Sequence, residues 1–174
     1  HPATWAHSQR VRAHAARIGR ELALSADELR RCEDGALLHD FGKLLVPRHE
    51  LDKPGVLSAA ERAHVSEHPR LGFDFLRRFD ALEEILPAVL QHHERWDGGG
   101  YPAHLGSGGI ALEARIVAVA DCFDAMTSNR PYRSALSQDQ AGRELRAGAG
   151  AQFDPMIVDA FLGAQRFATA FGLS

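Results

Sequence analysis

Leu82-Glu83-Glu84-Ile85-Leu86-Pro87-Ala88-Val89-Leu90-Gln91-His92-His93 is the stretch whose reading decides the fold. Leu82, Ile85, Leu86, Val89 and Leu90 recur at the three-to-four spacing of one helix face. The stripe then runs into two adjacent imidazoles where a glycine-rich stretch begins. Two neighbouring core histidines are hard to satisfy without a metal, because a buried polar ring needs a partner.

Outward from this helix, the same period recurs. Val11, Ala15, Ile18 and Leu22 form a second stripe near the start of the chain. Ser25-Ala26-Asp27-Glu28, Ser58-Ala59-Ala60-Glu61 and Ser137-Gln138-Asp139-Gln140 read as capping boxes, each opening a helix. Asp154-Pro155 reads as a fourth start, with Asp as cap and Pro where a missing N–H costs nothing. Alternating strand patterns are nearly absent, so the expected class is all-α. Two segments read as loops, Val46 to Leu57 and Trp96 to Ile110, the second too rich in glycine for helix or strand.

With 174 residues and 45% apolar content, one compact domain over residues 1–174 is expected. Twenty basic against 23 acidic residues, a net charge of −3, argue against capture of a nucleic-acid polymer. Any phosphate would be held by local charge or by metal. No run reaches the roughly 18 apolar residues of a membrane span, and no signal peptide is evident, so the expectation is a cytoplasmic domain without membrane contact. Cys32 and Cys122 lack ligand-like spacing and read as small buried apolar residues in a reducing compartment. The chain opens His1-Pro2 with a helix almost at once, which suggests a domain cut from a longer polypeptide.

Seven residues form a set that suits a metal site: His7, His39, Asp40, His68, His92, His93 and Asp121. Imidazole with carboxylate suits Fe, Mn, Zn or Ni, and a pair of ions about 3.5–4 Å apart is a common device for displacement at phosphorus. His7 continues the stripe of Val11 and Ile18. His39-Asp40 ends the helix opened by Ser25, with Gly42 as a stop signal. Lys43 lies on their side, where it neutralises phosphate or protonates a leaving oxygen, or else is a solvated lysine at a helix C-terminus. His68 precedes Pro69, which disfavours helix at the histidine and breaks the helix begun at Ser58. Asp121 and Asp124 sit amid Val, Ala and Phe, where an unpaired carboxylate is expensive. For Asp124 a salt bridge and a role in orienting a ligand or Lys43 weigh equally. His14 is left unassigned, and His1, His49, His64 and His104 read as surface histidines.

These residues resemble the HD-GYP domains, a branch of the HD superfamily of metal-dependent phosphohydrolases. The resemblance runs from about Thr4 to Phe161. It rests on His39-Asp40-Phe41-Gly42-Lys43, Lys53-Pro54-Gly55, His68-Pro69-Arg70-Leu71-Gly72, HHERWDGGGYP from His92, ARIVAVADCFDAMTSNRPYR from Ala114, and Phe153-Asp154-Pro155. It implies a helical bundle of about seven helices with the metal site in its core under a Gly-Tyr-Pro loop. It also implies an N-terminal sensory or receiver domain in the longer protein. The implied activity is hydrolysis of cyclic di-GMP to pGpG, or onward to GMP, by a metal-bridging hydroxide. His7, His39, Asp40 and Asp121 would serve one ion and His68, His92 and His93 the other, with Asp40 bridging. Iron or manganese is the implied pair, with nickel and zinc as alternatives. Lys43 would assist the leaving ribose oxygen, while Gly100, Tyr101, Arg130 and Arg133 would meet the ligand. For Tyr101 an anchoring role against the core stays open. Members with a third metal carry a glutamate where this chain has Ala3, so two ions and a stop at pGpG are expected. Two other readings stay open. One is a weakly active regulatory module that binds a diguanylate cyclase (GGDEF) domain through the loop. The other is a hydrolase for another cyclic dinucleotide or a nucleoside triphosphate. The oligomeric state is open, a dimer being one option.

Overall fold

The computed structural model describes residues 2–53, 55–129 and 134–170, and only the backbone of residues 2, 3 and 164–170. Among the described residues the regular structure is helical throughout. α1 (Pro2–Glu21), α2 (Ala26–Leu38), α3 (Arg48–Leu51), α4 (Ala59–Ser66) and α5 (His68–Leu76) are followed by α6 (Leu86–Gln91), α7 (Leu112–Thr127), α8 (Gln138–Gly148) and α9 (Pro155–Ala170). Seven of these reach eight residues or more. The all-α expectation holds, and among the described residues no helix is long and apolar enough to cross a membrane.

All three capping boxes form, with Ser25, Ser58 and Ser137 accepting from the backbone of Glu28, Glu61 and Gln140. Asp154 caps α9 through a bond from the Met156 amide. Between the caps, apolar faces meet in one principal core. α7 lies at its centre, against α1, α2, α6, α8 and α9. It is buried nearly all round, at Ala114, Ile116, Val117, Val119, Ala120, Phe123 and Met126, as a helix enclosed by others must be. Each fully buried Val or Ile there contributes about 1.5–3 kcal/mol. A smaller cluster, Leu76, Leu86 and Val89 with Phe41, Phe73 and Phe75 against it, joins α5 and α6 to the 3-10 turn Phe41–Leu45.

Several boundaries differ from the sequence reading, each for a backbone reason. The stripe from Leu82 is divided, a 3-10 turn over Asp80–Ile85 and then α6, because Pro87 cannot continue a helix but starts one well. The break between α4 and α5 falls at Glu67, not at His68, which is the first residue of α5 with Pro69 at the helix start. Gly42 does not stop a helix. A Cβ there would lie 1.8 Å from the His68 carbonyl oxygen, so glycine is needed to let the 3-10 turn touch α5. The first loop holds the short α3, and the second is closed by a bridge between Asp97 and Gly106. Cys32 is buried as expected, and burial pushes its thiol up to about 12. Cys122 instead is only partly buried and lines the cavity described below.

Candidate metal centre

Three of the imidazoles stand where a helix runs out. The last carbonyls of a helix have no intrahelical partner. His39 Nδ1 meets the Ala36 carbonyl at 2.7 Å, His68 Nδ1 that of Val65 at 2.7 Å, and His92 Nδ1 that of Val89 at 2.9 Å. A carbonyl only accepts, so each Nδ1 donates and each Nε2 is left with its lone pair. Those lone pairs converge. His68 and His92 place Nε2 atoms 3.2 Å apart, and His39 Nε2 is buried with no hydrogen-bond partner. Two imidazole lone pairs facing each other repel unless a cation sits between them.

Asp40 lies at the centre, 5% exposed. Its two oxygens face different rings: Oδ1 is 3.3 Å from His68 Nε2 and 3.9 Å from His92 Nε2, while Oδ2 is 3.5 Å from His39 Nε2 and 3.8 Å from His7 Nε2. Asp40 Oδ1 has no hydrogen-bond donor. Burial alone would raise this carboxyl, but His39, His68 and Lys43 beside it hold it well below the usual carboxylate range. Two donor groups result, Asp40 with His68, His92 and His93, and His7 with His39 and Asp121. Each offers the nitrogen and oxygen donors that a divalent first-row ion accepts. The donor set and the orphaned Nε2 and Oδ1 atoms fit a pair of such ions.

The two remaining imidazoles are braced differently. His7 sits inside α1, where backbone carbonyls are already paired, and its Nδ1 meets Asp124 Oδ2 at 2.7 Å on α7 while Nε2 lies 3.2 Å from Asp121. Burial opposes a charge on His7, but Asp121 and Asp124 outweigh it and push the ring up to about 9. His93 is held by rings, 4.1 Å from His92 and stacked on Tyr101 at 4.9 Å and 23°. Burial and His68 push it down to about 4.

A cavity of about 590 Å³ opens onto this cluster, lined among others by His7, Asp40, Lys43, His93, Arg95 and Asp121. Lys43 Nζ is 2.6 Å from Asp40 Oδ2. Asp124 touches His7 and not Lys43. Gly100 is buried against the backbone of Glu94 and Arg95, where a Cβ would clash. Arg130 and Arg133 lie outside the described residues, as does the Ala3 side chain. His14 packs edge-on to Phe123 and Phe161. Sequence reasoning missed Glu94, whose buried carboxylate accepts from the Ala103 and Leu105 amides at 2.6 and 3.0 Å and so latches the Gly-Tyr-Pro loop. It also missed Arg10, which holds Asp124 at both oxygens. The signal for Arg10 was its place three residues after His7, on the same helix side.

The HD domain family model matches residues 1–157. The chain belongs to the HD domain family. This HD domain is 44% identical over 163 residues to the cyclic di-GMP phosphodiesterase response regulator RpfG of Xanthomonas campestris pv. campestris, covering 91% of this chain and 43% of that protein. It is 35% identical over 161 residues to the 3'3'-cGAMP-specific phosphodiesterase 2 of Vibrio cholerae, covering 91% and 31%. The chain therefore spans less than half the length of either relative. In fold it is similar to Bd1817, an HDG"Y"P protein from Bdellovibrio bacteriovorus, with a TM-score of 0.75 and 19% identity over 94% of this chain and 52% of that one. The family expected from the ordered motifs is thus borne out.

Proposed function

We propose that this HD domain is a metal-dependent phosphodiesterase that opens cyclic di-GMP at a 3'–5' phosphodiester to give pGpG. The observation that carries the reading is Asp40, whose two buried oxygens face two separate imidazole groups. On this reading His7, His39, Asp40 and Asp121 would hold one ion and His68, His92 and His93 the other, with Asp40 shared between them. Iron or manganese is the proposed pair, with nickel and zinc as substitutes that the same donors accept. When bound, two such ions supply a water of lowered pKa and offset charge on the phosphoryl oxygens.

The chain's own residues do the rest. The three backbone-braced imidazoles keep their orientation without induced movement, so the phosphate meets a preformed site. Lys43, at the cavity and bonded to Asp40, holds a proton within reach of a leaving ribose oxygen. Asp124 keeps His7 in the tautomer that presents Nε2. Tyr101, Gly100, Arg130 and Arg133 remain the proposed ligand-contacting group, Tyr101 doubling as the ring against which His93 rests. We place the domain in the cytoplasm, within a longer protein carrying a sensory or receiver domain. Its Gly-Tyr-Pro loop is the proposed face for a GGDEF-domain partner.

Anaerobic purification with elemental analysis, then chromatography of products from cyclic di-GMP, tests the reading. About two equivalents of metal and accumulation of pGpG are expected. Metal-loaded protein that binds cyclic di-GMP and leaves it intact would show a binding module instead. Asp40→Ala and His7→Ala are both expected to abolish turnover, with Asp40→Ala losing more metal. The likeness to a relative named for 3'3'-cGAMP supports one competing substrate, and the same chromatography with that dinucleotide decides between them.

A further inference from the structure

We infer that Arg10 is a positioning residue for the metal ligand His7, acting through Asp124. The inference rests on the binuclear reading above. Arg10 and His7 stand one turn apart on α1, and both reach across to the same carboxylate on α7. Arg10 Nε donates to Asp124 Oδ1 at 2.5 Å, and Nη2 donates to Asp124 Oδ2 at 3.0 Å and to Ser128 Oγ at 3.2 Å. The fork therefore fixes both oxygens, the arrangement that makes Arg–carboxylate pairs directional. His7 Nδ1 shares Oδ2 at 2.7 Å, and the Ser128 hydroxyl approaches it at 3.4 Å.

Asp124 is 2% exposed, so its charge has no access to bulk water. Without Arg10, the buried carboxylate would keep, among the described residues, one imidazole and one hydroxyl, both at Oδ2, and would lose its donor at Oδ1. His39, His68 and His92 are immune to such a change because backbone carbonyls brace them. His7 has no such brace. Loss of Arg10 should therefore weaken one ion and spare the other, a selectivity that a general loss of packing would not produce. Arg10 itself touches neither substrate nor ion in this scheme, and its side chain is 47% exposed, so its removal leaves no cavity in the core.

The test is calorimetric titration of metal-free protein with Mn²⁺. Wild type should take up two ions; failure there would overturn the binuclear reading and not this inference. Arg10→Met is expected to bind the second ion about 10–100-fold more weakly while keeping the first near wild-type affinity. Arg10→Lys, which keeps charge but not the fork, should fall between them. In a His7→Ala background, adding Arg10→Met should remove no further metal, because Arg10 acts only through His7. Two Mn²⁺ bound by Arg10→Met at wild-type affinity would overturn the inference, as would additive losses in the double variant. Should Arg10→Met fail to fold, Arg10→Lys decides: weakened binding of one ion supports the inference, and wild-type binding of both overturns it.

Discussion

His7 and His93 are chemically the same side chain in opposite electrostatic settings. His7, between Asp121 and Asp124, holds a proton up to about pH 9 in the metal-free protein, whereas burial pushes His93 down to about 4. An ion that takes His7 must displace that proton. Affinity at this site is expected to rise about tenfold per pH unit between 7 and 9 and then level off. The site that His92 and His93 serve, both rings pushed down by burial, should show no such slope. Mn²⁺ titrations at three pH values check this, and parallel slopes would contradict it. Linkage gives a second sign. A pKa raised in the folded state contributes stability below the unfolded value of 6.5 and loses it as pH rises through 9. Asp124, depressed by His7 and Arg10 in spite of burial, acts oppositely, contributing above the ordinary carboxylate range and failing as pH falls. His92 and His93, pushed down by burial, cost stability as pH falls below 6.5, so the metal-free protein should be most stable near pH 6.5, read as a maximum in Tm. At this scale the cluster of seven side chains was legible, because an imidazole or carboxylate on an apolar stripe has to be explained. Their braces were not. A backbone carbonyl has no signature in sequence, and Arg10 reads as an ordinary surface cation until α7 is folded against α1.

Among the elements, the contact of the 3-10 turn Phe41–Leu45 with α5 is the tightest constraint on the site. Asp40 and Lys43 flank or ride on that turn, His68 begins α5, and Gly42 lets their backbones meet. Gly42→Ala should cost about 3 kcal/mol, measured by urea denaturation, and should lower metal content by pushing His68 from Asp40. Stability within 1 kcal/mol of wild type, a bound at the low end of overpacking costs, would show that the contact is slack. The Glu94 latch is the second constraint. Glu94→Ala is expected to leave helical content unchanged while exposing the Ala103 and Leu105 amides to hydrogen exchange, since their acceptor is gone. Helix existence and the three capping boxes were legible from period and local chemistry. The breaks were harder. Pro87 and Pro69 signalled a boundary without saying on which side it falls, and glycine at Gly42 admits both a helix stop and a close approach.

For the whole molecule, the metal centre lies between the principal core of α1, α2 and α7 and the smaller cluster of α5 and α6. Ions bound there as proposed would tie two packing units together and neutralise a buried carboxylate, so chelation should lower stability. For metal at 100 times its Kd the linkage amounts to about 2.7 kcal/mol per ion, or about 5–10 °C in Tm. Differential scanning calorimetry with and without chelator measures this, and an unchanged Tm would mean that the ions add nothing to the fold. The all-α class was legible because cap and stripe signals repeat along the chain, but the central place of α7 was not, since a helix buried on every side carries little periodic contrast. The three ways of bracing five imidazoles also bear on descent. Main-chain braces at His39, His68 and His92 are indifferent to side-chain drift, whereas His7 and His93 depend on Arg10, Asp124 and Tyr101. A lineage that sheds catalysis while keeping this fold has its shortest exits at those three positions, and descendants that still display all seven ligands can already be silent.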